Sequence, residues 1–201
     1  MRHRGLILWV CVAAGLIVPF YFAATSPLLE WRDPIYRIAG YAGVAGLALM
    51  LLQPLLAGGY LGGLRLQTSR RLHRASGTLL FLCVVLHVVM LWITSPPDVI
   101  DALLIRSPTP FAIWGVLAMW AAFGAAILAV FRPKLPLRVW RFGHTCLVLV
   151  TVFGTVAHAV LIEGTMEQLT KIALCAAVLL ALGKTVYDLR AWSGLRRTRR
   201  Q

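Results

Sequence analysis

Residues 70–87 read RRLHRASGTLLFLCVVLH, and residues 140–158 read WRFGHTCLVLVTVFGTVAH. Each stretch has arginine within its first two residues, passes into an apolar run and carries two histidines fourteen positions apart: His73 and His87 in the first, His144 and His158 in the second. Fourteen residues of α-helix rise about 21 Å and come within roughly 40° of whole turns. Both histidines of a stretch therefore share one helix face.

Working outward, these two runs are members of a set of six. Apolar segments of about twenty residues, enough to cross a hydrocarbon core of about 30 Å, lie near residues 5–24, 36–57, 73–94, 110–131, 142–162 and 166–187. Hydrophobic residues make up 60% of the chain and the mean hydropathy is +0.80, against the roughly 45–50% apolar share of soluble domains. The expected fold is all-α: one domain over residues 1–201, a six-helix integral membrane bundle. The segments leave no run of the roughly 50 residues that a soluble domain needs, so chemistry is expected in the bundle or on a partner.

The formal net charge of +13 is a topology signal. Sixteen of the 20 Lys and Arg residues gather at one set of alternating segment ends, and only Arg32, Arg37, Arg106 and Lys171 lie at the other. The acids do the reverse, with Asp188 alone on the basic side. Because Lys and Arg are retained on the cytoplasmic side, both termini are expected to be cytoplasmic. A nucleic-acid partner would need a basic face on a folded soluble module and is not expected; the partner is membrane lipid. The first run follows Arg2 and Arg4 but is longer than a signal-peptide core of about 7–15 residues, so it is read as a retained anchor.

The loops carry breakers, among them Gly58-Gly59, Gly62-Gly63, Pro96-Pro97, Pro133 and Pro136. The glycine cluster follows a helix and does not fit a nucleotide-binding pattern. Trp31 and Trp92 at the outer ends, and Trp140 and Trp192 at the inner ends, suit rings anchored at the headgroup level. Cys11, Cys83, Cys146 and Cys175 lie in apolar segments without a C-x-x-C pair, so neither disulfides nor cysteine-bound clusters are expected.

In that topology the third and fifth segments run the same way, which sets His73 level with His144 on the inner side and His87 level with His158 on the outer. A neutral imidazole from each of two facing helices is an axial pair for haem iron, so two haems would lie one above the other. A lone intramembrane histidine is as readily an interhelical hydrogen bonder or a proton relay, and four at matched depth favour ligation. Zinc is disfavoured, because pairs about 21 Å apart cannot share a tetrahedral centre. His3, in the basic tail, is read as merely polar.

Gly77 and Gly154, each one turn from a histidine, are expected either to clear room for a porphyrin or to serve ordinary helix packing. Of the arginines around the inner pair, Arg74 and Arg141 are the candidates to hold a haem propionate. The outer propionates would face water or meet Arg37, Arg106 or Lys171 from other loops.

The two quoted stretches resemble the ferric reductase-like transmembrane domain. That superfamily includes ferric reductases, NADPH oxidases and the haem-binding membrane subunit of the bacterial methionine sulfoxide reductase system. The resemblance implies six helices with paired histidines on the third and fifth, His73 with His144 and His87 with His158 as axial ligands of two haems, and the electron-transfer part of an oxidoreductase. The haems would be noncovalent haem b, since no C-x-x-C-H motif is present.

Larger members append a cytosolic flavin and nicotinamide domain, whereas this sequence ends Leu195-Arg196-Arg197-Thr198-Arg199-Arg200-Gln201. The expected donor is therefore a separate cytosolic flavoprotein, free FMN or FAD, or a membrane quinol. The expected acceptor is a periplasmic oxidoreductase at the outer face of a bacterial inner membrane, or ferric iron, copper or oxygen reduced directly. A small proton channel or transporter using the histidines as relays is the alternative from another class. It is weakened by acids that all sit at segment ends rather than mid-membrane.

Overall fold

Helix is the only spanning structure that this apolar chain can build without burying unpaired backbone groups in lipid, closed barrels aside. The computed structural model describes residues 2–164 and 166–189, with side chains from residue 5 onward. Among the described residues there are seven α-helices and two short 3₁₀ turns, and no strand. The helices are α1 (Arg2–Ala24), α2 (Pro34–Gly58), α3 (Leu66–Thr94), α4 (Pro96–Leu103), α5 (Ala112–Val130), α6 (Leu137–Leu161) and α7 (Gln168–Asp188). All but α4 are long and apolar enough to cross a membrane, and the chain is an integral multi-pass membrane protein. The third and fifth spans are α3 and α6. Trp192 and the arginines from Arg190 onward lie outside the described residues, as do the side chains of Arg2, His3 and Arg4.

Two helices start earlier than their apolar runs. α3 begins at Leu66 rather than near residue 73, and α6 at Leu137 rather than near 142. Hydropathy marks where lipid begins, whereas arginines on the first turns continue the helix while their stems reach back to the headgroups. A second difference lies at Pro96-Pro97, which opens the short helix α4 instead of a loop. Proline is acceptable in a first turn, where its missing N–H would have had no helical partner.

Local chemistry sets the other ends. The Asp33 carboxylate accepts from the Ile35 N–H at 2.7 Å, with Pro34 opening α2. Gly59, in the left-handed region at φ 67°, closes α2 by donating to the carbonyls of Leu55 and Leu56. Glu167 caps α7, accepting from the N–H groups of Leu169 and Thr170 at 2.8 Å each. The backbone donors of Thr170 and Leu169 hold its carboxyl below the usual glutamate range.

Packing divides the spans into two antiparallel hairpins, α2–α3 and α5–α6. α2 is central, burying Val44, Leu47, Met50, Leu51 and Leu55 against α1, α3 and α7. α7 packs chiefly on α2 and less on α6, while α3 and α6 stand apart. α3 touches α5 locally, where the rings of Phe81 and Phe123 lie 5.0 Å apart. Polar ties run along the seams: Ser69 Oγ donates to the Leu56 carbonyl at 2.7 Å, Gln53 Nε2 to Ser76 Oγ at 2.8 Å, and Thr185 Oγ1 to the Pro54 carbonyl at 3.0 Å. Outward faces are apolar, with Trp120 at 58%, Phe153 at 57% and Leu180 at 75% exposure, a surface suited to acyl chains rather than water.

Candidate functional site

The space between α3 and α6 is where the four histidines gather. His87 on α3 and His158 on α6 face each other across it, their ring centres 6.4 Å apart and their planes at 86°. Nδ1 of His87 donates to the Ala39 carbonyl at 2.7 Å, and Nδ1 of His158 to the Phe111 carbonyl at 2.9 Å. A carbonyl oxygen can only accept, so each Nδ1 carries a proton, and in the neutral imidazole Nε2 then keeps its lone pair. Such hydrogen bonds fix the tautomer and ring orientation of histidines that bind metals.

The neighbouring helix makes room for each ring with a glycine four residues beyond the accepting carbonyl. A Cβ at Gly115 would lie 2.6 Å from His158 Nδ1 and 2.7 Å from its Cε1; at Gly43 the corresponding distances to His87 are 3.1 and 3.2 Å. Each ring thus rests on a bare helical turn, on α2 for His87 and at the start of α5 for His158. The Phe111 carbonyl also accepts from the Gly115 N–H at 3.2 Å, so one oxygen serves the helix and the histidine together. Neither glycine stands out in the sequence. The available signal is a glycine on the span preceding each histidine-bearing one, which means nothing until the helix register is known.

At the basic end the plan repeats with one change. His73 Nδ1 donates to the Gln53 carbonyl of α2 at 3.2 Å. His144 lies beside the Ala125 carbonyl of α5, but its buried Nδ1 lacks a partner in hydrogen-bond geometry. His144 is within electrostatic reach of His73, as His158 is of His87. The α3 histidines thus lean on α2 and the α6 histidines on α5. The Trp140 ring stacks on His144 at 5.4 Å between centres and 11° between planes, and the Arg132 guanidinium lies over that indole at 5.0 Å.

The other candidates divide. Arg74 is exposed beside His73, its guanidinium without a hydrogen bond or ion pair among the described residues. Arg141 Nη2 donates to the Leu189 carbonyl at the end of α7, at 3.2 Å, where a cation also suits the helix dipole. Lys171 does not come from a loop. It lies in the first turn of α7, 3% exposed, and its Nζ donates to the Ile162 carbonyl at 2.6 Å. Arg37 is half-buried on α2 and Arg106 is exposed in the loop before α5. Gly77 faces the Gln53 side chain, and Gly154 packs against the Trp114 carbonyl and Ala118. Both therefore serve helix packing, the second of their two readings, because the hairpin partner occupies that side. The four cysteines are free.

No curated protein and no solved structure matches the chain. A family model does, that of the ferric reductase like transmembrane component, over residues 40–155. The match takes in α3 and its histidine pair, the α5 turn that receives His158, and most of α6 including His144. By that match over more than half its length, and with its paired histidines set on the third and fifth of six spans, the chain belongs to the ferric reductase like transmembrane component family.

Proposed function

We propose that the chain is a b-type cytochrome subunit that carries electrons across the membrane, with His73 and His144 as one axial pair and His87 and His158 as the other. The observation that carries this reading is the geometry of the second pair. An imidazole nitrogen lies about 2.0–2.1 Å from its metal and roughly 1.1 Å from its own ring centre, so two axial rings on one iron stand about 6.3 Å apart. The rings of His87 and His158 stand 6.4 Å apart with their Nδ1 protons committed elsewhere. The separation of α3 from α6, each packed on its own hairpin partner, leaves a place for a flat group.

Bound haem supplies one-electron chemistry between ferric and ferrous iron. The chain holds three of the four imidazoles by carbonyls of the hairpin partners, surrounds them with apolar helix and sets basic side chains at one end. Axial ligation, hydrogen bonding and burial are the means by which a protein tunes such a site. The basic end faces the cytoplasm by the positive-inside rule. Electrons then enter there from a flavoprotein, free FMN or FAD, or quinol, and leave at the opposite face to a periplasmic oxidoreductase or directly to metal or oxygen. In a bacterium this places the chain in the inner membrane.

The test is a reduced-minus-oxidised spectrum of the purified full chain with haem quantification. Two haem b per chain are expected. A chain that takes up no haem when haem is abundant would refute the proposal, and proton flux into haem-free proteoliposomes would point to a channel instead.

A further inference from the structure

Two buried nitrogens lack hydrogen-bond partners among the described residues, Trp140 Nε1 and His144 Nδ1, and they belong to stacked rings. An indole N–H can only donate, and a donor left unpaired away from water is costly enough that native structures rarely keep one. The Trp140 ring is held on both faces, by His144 on one side and the Arg132 guanidinium on the other. Its N–H is therefore not free to swing to solvent, as the sequence reading of Trp140 as a simple interfacial anchor would have it. Both the fixed donor and the cation beside it call for an anionic oxygen. Trp140 lies one helical turn beyond His144 towards the basic end, on the edge of the proposed site from which acidic groups would have to leave the bilayer. Arg141, the other nearby candidate, is turned to the α7 carbonyl of Leu189.

We propose that Trp140 Nε1 donates to a propionate carboxylate of the haem held by His73 and His144, with Arg132 fixing the indole and adding positive charge. This rests on the cytochrome reading. The same chemistry could be met by a lipid phosphate, and the test separates the two sources.

The full chain carrying His87→Ala, in which only the basic-end pair can ligate, is freed of haem, placed in nanodiscs of zwitterionic lipid and titrated with haemin or with haemin dimethyl ester. Trp140→Phe keeps the stack and removes only the N–H. It is expected to weaken haemin binding roughly tenfold, as for a hydrogen bond to a charged group, and to leave binding of the diester within about twofold. The unchanged diester affinity also shows that the variant folds. Equal haemin affinity with and without the substitution would overturn the proposal. So would an equal loss for haemin and diester, which marks a packing role; a Trp140 N–H given to a lipid phosphate instead leaves both affinities unchanged. If the chain with Trp140 intact binds neither compound, it is the cytochrome reading itself that has failed.

Discussion

At the scale of single residues, the tightest geometric demand around the histidines falls on Gly115. An alanine methyl there would lie 2.6 Å from His158 Nδ1, and the obstruction is a ring tied to the Phe111 carbonyl rather than the end of a flexible chain. Overpacking of this kind costs about 1–3 kcal/mol. Gly115→Ala should therefore weaken haem binding at the His87–His158 site by roughly ten- to a hundredfold, measured by haem titration of the apoprotein. Gly43→Ala, with its nearest atom at 3.1 Å, should cost less. His87→Ala should abolish that site and leave the basic-end haem in place, read as a fall from two haems to one per chain; loss of both would show that the sites are interdependent. The histidine spacing was legible in the sequence because helical periodicity is local to one segment. The glycine seats were not, since they exist only in the register between two segments. The Arg132–Trp140–His144 stack likewise depends on how the turn after α5 returns into α6.

At the scale of elements, α2 and α7 are joined by a side-chain hydroxyl beside a proline. Pro54 interrupts α2, and the Pro54 carbonyl receives Thr185 Oγ1, which is shared with the Ala181 carbonyl. Hydroxyls of neighbouring helices commonly satisfy backbone groups near a membrane proline. Thr185→Val keeps the shape and removes the donor. Interhelical hydrogen bonds in membranes average about 0.6 kcal/mol, and a loss of about that size is expected in detergent unfolding of the full chain, with haem content preserved. The six spans could be read from hydropathy alone. Their first turns could not, because the arginines that open α3 and α6 lower the hydropathy without breaking the helix. The proline pair at the start of α4 misled for a related reason: proline ends a helix in most contexts but begins one equally well.

At the scale of the molecule, charge and architecture make one joint prediction. Arg70, Arg71, Arg74, Arg132 and Arg138 mark one end of the bundle, whereas Glu30, Asp33, Asp98, Asp101, Glu163 and Glu167 mark the other. Reporter domains inserted in the turns at residues 59–65 and 131–136 should be active only as cytoplasmic fusions, and one inserted at 104–110 only as an exported fusion. The reverse pattern would invert the proposed direction of electron flow. The partition into two hairpins also governs how the chain survives in a cell. α3 and α6 have no seam of their own, so whatever occupies the space between them acts as a fastener, and a ligand held at a hundredfold excess over its dissociation constant adds about 2.7 kcal/mol to the folded state. Under the proposed function, a newly inserted chain starved of haem keeps an unzipped cleft that membrane proteases can enter. Its abundance then follows the iron and porphyrin supply, and the cleft becomes a quality-control gate through which only loaded copies pass.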